Sequence, residues 1–141
     1  MQQLMEFAAN HAILVGGFVA VLGLLAWTEF AQLGRGFRML SPAEAVAFMN
    51  SGDARVIDVS PSNEFAKGHI AGARNIPLSR LQASDKEVSK LLQRPLLVTC
   101  RAGNTAQMAA SKLAKLGAGE VAVLRGGNSQ WMADNYPVSR N

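Results

Sequence analysis

Apolar residues are distributed along this chain in two different ways. From Ala12 to Trp27 the sequence reads AILVGGFVAVLGLLAW, a run of sixteen apolar residues with no periodicity. Extended back through Phe7 it predicts a helix over about residues 7–27, roughly 30 Å long at about 1.5 Å per residue, which matches a bilayer core. Beyond residue 38 the pattern changes to apolar runs of four residues, separated by amphipathic stretches that open on Ser-Pro or close on Gly. Short buried strands alternating with helices predict an α/β domain with a small parallel sheet and helices on both faces.

The elements follow in order. Ser41, Pro42 and Glu44 supply an N-cap, a first-turn proline and a capping-box acid for a helix ending near Asn50. Val56 to Val59 reads as a strand, and a short helix over 63–66 stops at Gly68. A brief strand is expected within Gly72–Pro77. Ser79 begins a helical region, with room for a break, that ends at Leu92 before Arg94-Pro95. Leu96 to Thr99 lacks alternation, so it predicts a strand buried on both faces. Thr105 to Leu116 is amphipathic, with Ala106, Ala109, Ala110, Leu113 and Leu116 on one side and Gly117 as its stop. Val121 to Leu124 repeats the buried-strand pattern, and a last helix follows over 129–135.

The organisation this implies is an amino-terminal segment over 1–30, a tether over 31–38 and a folded domain over 39–141. The apolar segment has three readings. A cleaved signal peptide calls for a basic start, whereas MQQLMEF carries Glu6 and no Lys or Arg. A core helix that is apolar all round needs a larger protein around it than the remaining domain provides. A single transmembrane helix fits length and composition best. Arg35 and Arg38 follow the run and no basic residue precedes it, so the positive-inside bias places the amino terminus outside and the domain in the cytoplasm, on the inner membrane. Ala12, Gly16 and Ala20 form a small-residue stripe suited to close approach by a membrane-protein partner, although such residues are also frequent in spanning helices generally.

All fourteen Lys and Arg residues lie after position 34 with eight acids, a net charge of +6. That charge suits a lipid surface or a small anionic substrate as well as plain solubility. No nucleic-acid module is visible. One Cys precludes an internal disulfide and fits a reducing compartment. With one Cys and two His, one of them His11 beside the apolar run, there is no credible metal site, and no cofactor is expected.

The chemistry concentrates at Cys100-Arg101-Ala102-Gly103-Asn104-Thr105. A buried strand delivers the thiol into a tight loop, and a helix starts at once. The amides of Arg101, Ala102, Gly103, Asn104 and Thr105 are expected to form a cup of donors that favours negative charge on the sulfur. Gly103 would supply an unusual backbone conformation, and Thr105 is placed to cap the helix. A buried Cys often only fills space; here the polar loop, the adjacent Arg and the helix start favour chemistry. Cysteine phosphatases use a C-x5-R loop, but the position of that arginine is Ala106.

These residues resemble the rhodanese family. Asp58-Val59 followed by Glu64-Phe65, Gly68-His69-Ile70 and Gly72-Ala73-Arg74-Asn75-Ile76 is similar to its acidic-Val, E-F/Y-x-x-G-H-I-x-G-A-x-N-I signature. Cys100 to Thr105 is similar to the C-R-x-G-x-T loop of thiosulfate sulfurtransferases, and Val123 to Gly127 with Trp131 to the family's last strand and helix. The resemblance implies a rhodanese-like fold and a sulfane sulfur carried on Cys100 as a persulfide. The sulfur would come from a small anionic donor and pass to a thiol or protein acceptor, with Arg101 assisting the donor. It assigns Asp58, His69, Arg74 and Asn75 to structural support. Ser60 departs from the family, which commonly has Arg there. The competing expectation is a membrane-anchored module that binds partner proteins with little or no turnover.

Overall fold

The computed structural model describes residues 1–33 and 36–140. It runs α1 (Gln2–Asn10), α2 (Ala12–Leu33), β1 (Arg38–Leu40), α3 (Pro42–Asn50), β2 (Arg55–Asp58), α4 (Ser62–Lys67), β3 (Arg74–Asn75), a 3-10 turn (Leu78–Arg80), α5 (Lys86–Leu91), β4 (Leu96–Thr99), α6 (Asn104–Lys115), β5 (Val121–Leu124) and α7 (Gly127–Ala133). The chain divides into two units, Met1–Gly34 and Arg35–Asn141.

In the first unit the expected helix over 7–27 is divided. Phe7 to Asn10 belongs to α1, which ends at His11, where φ −126° and ψ 42° leave the helical region. The long apolar helix therefore starts at Ala12 and runs further than expected, to Leu33. Ala12–Ala31 is long and apolar enough to cross a membrane, with a mean hydropathy of 2.0, and none of that stretch is buried within the protein. Ile13 is 91% and Trp27 74% exposed.

The second unit is built on a five-stranded parallel sheet of order β1-β5-β4-β2-β3. Alternate residues of the strands face opposite sides. Ile57, Leu96, Val98, Val121 and Val123 join Ala106, Ala110 and Leu113 of α6 and Val88 and Leu91 of α5 in one core layer. Val56, Leu97, Ala122 and Leu124 join Ala45 and Phe48 of α3 and Trp131 of α7 in the other. Helices thus cover both faces, and β4 and β5 are buried at every position. Each such Leu or Ile contributes about 1.5–3 kcal/mol by leaving water.

The helix starts obey local chemistry. At α3 the Ser41 hydroxyl accepts from the Glu44 amide at 3.3 Å and the Glu44 carboxylate accepts from the Ser41 amide at 3.1 Å. The hydrogen bond from the Ser41 amide holds the Glu44 carboxyl below its ordinary pKa. The region over 79–92 resolves into the 3-10 turn and α5. Asp85 caps α5 by accepting from the Glu87 and Val88 amides.

Two boundaries differ from the sequence reading. The expected tether over 31–38 is shorter, because α2 continues to Leu33 while Phe37 is buried and Arg38 opens β1. Strand β1 was not predicted: three residues carry no readable period, and they are held as a strand by pairing with β5. Arg35, one of the two arginines behind the expected orientation, lies outside the described residues.

Candidate active site

Cys100 follows β4, the middle strand, at the carboxyl end of the sheet. From the adjacent β2 and β4 the chain departs in opposite directions, to β3 and to β5, which opens a crevice at the strand ends. Val59, Ser60 and Pro61 after β2 form one wall, and Cys100, Arg101, Ala102, Asn104 and Thr105 form the other, enclosing about 350 Å³. Cys100, which lines this recess, is 5% exposed.

Two backbone amides converge on that sulfur: Gly103 N–H at 3.0 Å and Ala106 N–H at 3.4 Å. The convergence requires a tight reversal, and Gly103 makes it with φ +98°, in the left-handed region. Donors so placed, at the start of α6, complement negative charge on the sulfur.

The cup differs from the expectation in two respects. Of the five residues Arg101 to Thr105, Gly103 alone has its amide on Sγ; the second donor is Ala106, one residue beyond. Nor is Thr105 the helix cap. Gly103 occupies the cap position without a side-chain bond, and Asn104 begins α6. Glycine has no side chain to accept from the first-turn amides, so the start of α6 carries no hydroxyl cap. Ala102, Asn104 and Thr105 are exposed on the recess wall. Arg101 reaches outward, its side chain 73% exposed, with Nη1 3.7 Å from Glu64 Oε2.

The loop is held from behind by α7. Asn128 N–H donates to the Cys100 carbonyl at 2.7 Å, and Ser129 N–H donates to the Arg101 carbonyl at 2.9 Å. Gly127, with φ +61°, sits so close that a Cβ there would strike the Cys100 carbonyl oxygen. Below the loop, Asn128 joins two strands: its Oδ1 accepts from Thr99 Oγ1 at 2.9 Å and its Nδ2 donates to Asp58 Oδ2 at 2.9 Å. Asp58, wholly buried, also accepts from the Ser60 amide at 2.8 Å. Asn75 Nδ2 donates to the carbonyls of Asp58 and Ser60. Both recess walls are therefore fastened by one buried polar network.

Asp58 ties the Ser60 amide, and Arg74 is not its partner. Arg74 is exposed and faces Glu87 at 3.4 Å, because Asp58 already has neutral donors and the strand turns Arg74 outward. His69 is buried away from the sulfur's hydrogen-bond shell. Its Nδ1 donates to the Phe65 carbonyl at 2.8 Å and its ring stacks on Phe65 at 3.6 Å, while its backbone pairs with Ser139. Sequence reasoning missed Ala106, Gly127 and Asn128. The Gly126-Gly127 pair was a visible signal; nothing local marked Asn128, whose partners are 29 and 70 residues away.

The chain is similar to known proteins over most of its length. The family model for the rhodanese-like domain matches residues 41–134. The chain is 33% identical to the uncharacterized protein YibN of Escherichia coli (strain K12) over 141 residues, covering 99% of both chains. It is 37% identical to the thiosulfate sulfurtransferase GlpE of Stutzerimonas stutzeri over 101 residues, 72% of this chain and 89% of that one. Among solved structures, a rhodanese-related protein of Thermoplasma volcanium superposes with a TM-score of 0.63 at 30% identity, covering 74% of this chain and 99% of that one.

Proposed function

Because the chain belongs to the rhodanese-like domain family, we propose that it is a sulfurtransferase working through a persulfide on Cys100. The observation that carries this reading is the pair of amides on the Sγ of Cys100, a residue lining the recess at the strand ends. The relative GlpE, named a thiosulfate sulfurtransferase, supports the class of reaction.

In the first step the Cys100 thiolate attacks the outer sulfur of a donor such as thiosulfate. The donor's S–S bond breaks with its electron pair on the leaving group, sulfite, and a new S–S bond forms on Cys100. In the second step a thiol or other thiophilic acceptor attacks the outer sulfur and returns Cys100 as thiolate. Sulfur moves without net oxidation, so no redox cofactor enters the scheme. Gly103 and Ala106 amides hold the sulfur charge, and Arg101 meets an anionic donor at the mouth. Incubating the protein with a donor should raise its intact mass by about one sulfur atom, roughly 32 Da by the persulfide chemistry. Cys100→Ser should abolish both the mass gain and turnover, and turnover retained in that variant would rule the mechanism out.

The same reading makes α2 a single-pass anchor with the amino terminus outside and the domain in the cytoplasm. Its support is the mean hydropathy of 2.0 of Ala12–Ala31, none of it buried, with Lys and Arg confined to one side. Protease added to intact cells should leave the domain undigested; digestion would reverse the orientation.

A further inference from the structure

Helix α1 is two-sided. With residues spaced by about 100° around the axis, Gln2, Gln3, Glu6 and Asn10 share one narrow arc, and Leu4, Met5, Phe7, Ala8 and Ala9 occupy the rest of the circumference. Its neighbour α2 is different, apolar all round over Ala12–Ala31 with a mean hydropathy of 2.0. One helix suits an apolar medium on every side, the other on one side only. No residue of α1 is buried. Leu4, Met5 and Phe7 are 69%, 68% and 57% exposed, so the protein itself leaves the apolar arc uncovered.

The two helices part at His11. Its amide closes α1 by donating to the Phe7 carbonyl at 3.0 Å, and its carbonyl opens α2 by accepting from the Val15 amide at 2.9 Å. Its ring lies against that of Phe7, with centroids 4.8 Å apart. Length explains why a break belongs there. The 22 residues of α2 span about 33 Å, enough by themselves for a hydrocarbon core of about 30 Å. Continued along the same axis, α1 would add about 14 Å beyond the core and hold Leu4 and Met5 in water. Turned at His11 into the plane of the surface, it keeps Gln3 and Glu6 in water and places Leu4, Met5 and Ala8 against acyl chains.

We infer that α1 is an interfacial helix, lying along the outer surface of the bilayer with its apolar arc in the boundary between headgroups and acyl chains. Its occupant is lipid because one residue, His11, joins it to the span. Wherever the span is inserted, the apolar arc is held within about 14 Å of the hydrocarbon edge, at high effective concentration. Helix α1 has no Lys or Arg, so apolar contact seats it, and attraction to anionic headgroups does not. His11 is then the corner that sets how deep the outer end of the span lies. This rests on the anchor reading of α2 above and adds a second, independent membrane contact to it.

The test uses the full chain carrying Cys100→Ser, so that a single introduced thiol takes a spin label, in nanodiscs of phosphatidylcholine and phosphatidylglycerol. Labels go on Gln3→Cys, Leu4→Cys, Met5→Cys and Glu6→Cys, with Val19→Cys as the control within the span; all five positions are exposed in the structure. The readout is the ratio of accessibility to oxygen, which enters lipid, over that to a water-soluble nickel chelate. The ratio should be severalfold higher at Leu4 and Met5 than at Gln3 and Glu6, and the pattern should persist in nanodiscs of phosphatidylcholine alone. A steady rise from Gln3 to Glu6 would make α1 a continuation of the span. Four water-like labels, or four shielded from both reagents as under a covering protein, would equally overturn the interfacial seat, as would a pattern that needs phosphatidylglycerol. In each of those cases a lipid-like Val19 label leaves the anchor standing. A water-like label at Val19 would remove the anchor and the interfacial helix with it.

Discussion

The two ends of the sheet hold their polar groups in opposite ways. At the carboxyl end Asp58, Thr99 and Asn128 are buried and joined by hydrogen bonds of 2.8–2.9 Å, with the Cys100 loop resting on them. At the amino end the polar groups are exposed ion pairs: Arg38 with Glu120 at 2.9 Å, its side chains 59% and 51% exposed, and Arg94 with Asp53 at 3.5 Å. Desolvation makes the difference. A buried donor that loses its acceptor has no water to replace it, whereas an exposed ion pair competes with solvent from the start. The carboxyl end can therefore hold a loop to fractions of an ångström, and the amino end mainly keeps the protein soluble.

Three substitutions probe that contrast. The largest effect is expected from Gly127→Ala, which puts a methyl group against the Cys100 carbonyl at a positive φ. It should cost about 4 kcal/mol in urea unfolding and abolish sulfur loading of Cys100, since the loop must move to make room. Asp58→Ala strands the Ser60 amide and Asn128 Nδ2. A loss of roughly 2–3 kcal/mol is expected, with loading slowed but still dependent on Cys100. Arg94→Ala, at the other end, should change stability by under about 0.5 kcal/mol and leave loading as it was. If Asp58→Ala proved as mild as Arg94→Ala, the two ends would be energetically alike and the contrast would fail.

Much of this was legible in the chain. Leu96 to Thr99 and Val121 to Leu124 could be read as buried strands because apolar runs without alternation leave no face for water. The start of α3 was legible because capping is local, with donor and acceptor three residues apart. The strand-end position of Cys100 followed from strand and helix succession alone. Other features were hidden because their causes are distant in sequence. Strand β1 exists by virtue of β5, more than eighty residues later. The break at His11 interrupts a run whose apolar content alone suggested a continuous helix from Phe7.

The active-site loop divides along the same line. Sequence alone determined that a thiol, an arginine and a glycine turn stand where a buried strand meets a helix, since each depends on neighbours within a few residues. Tertiary structure decided which amides reach the sulfur, that Asn128 and not Arg74 completes the Asp58 network, and that Ser60 Oγ is buried without a hydrogen-bond partner. Those outcomes depend on how α6, α7 and β2 pack around one another. The hydrogen bonds concerned are short and directional, so a shift of one ångström, invisible in any periodicity, makes or breaks them.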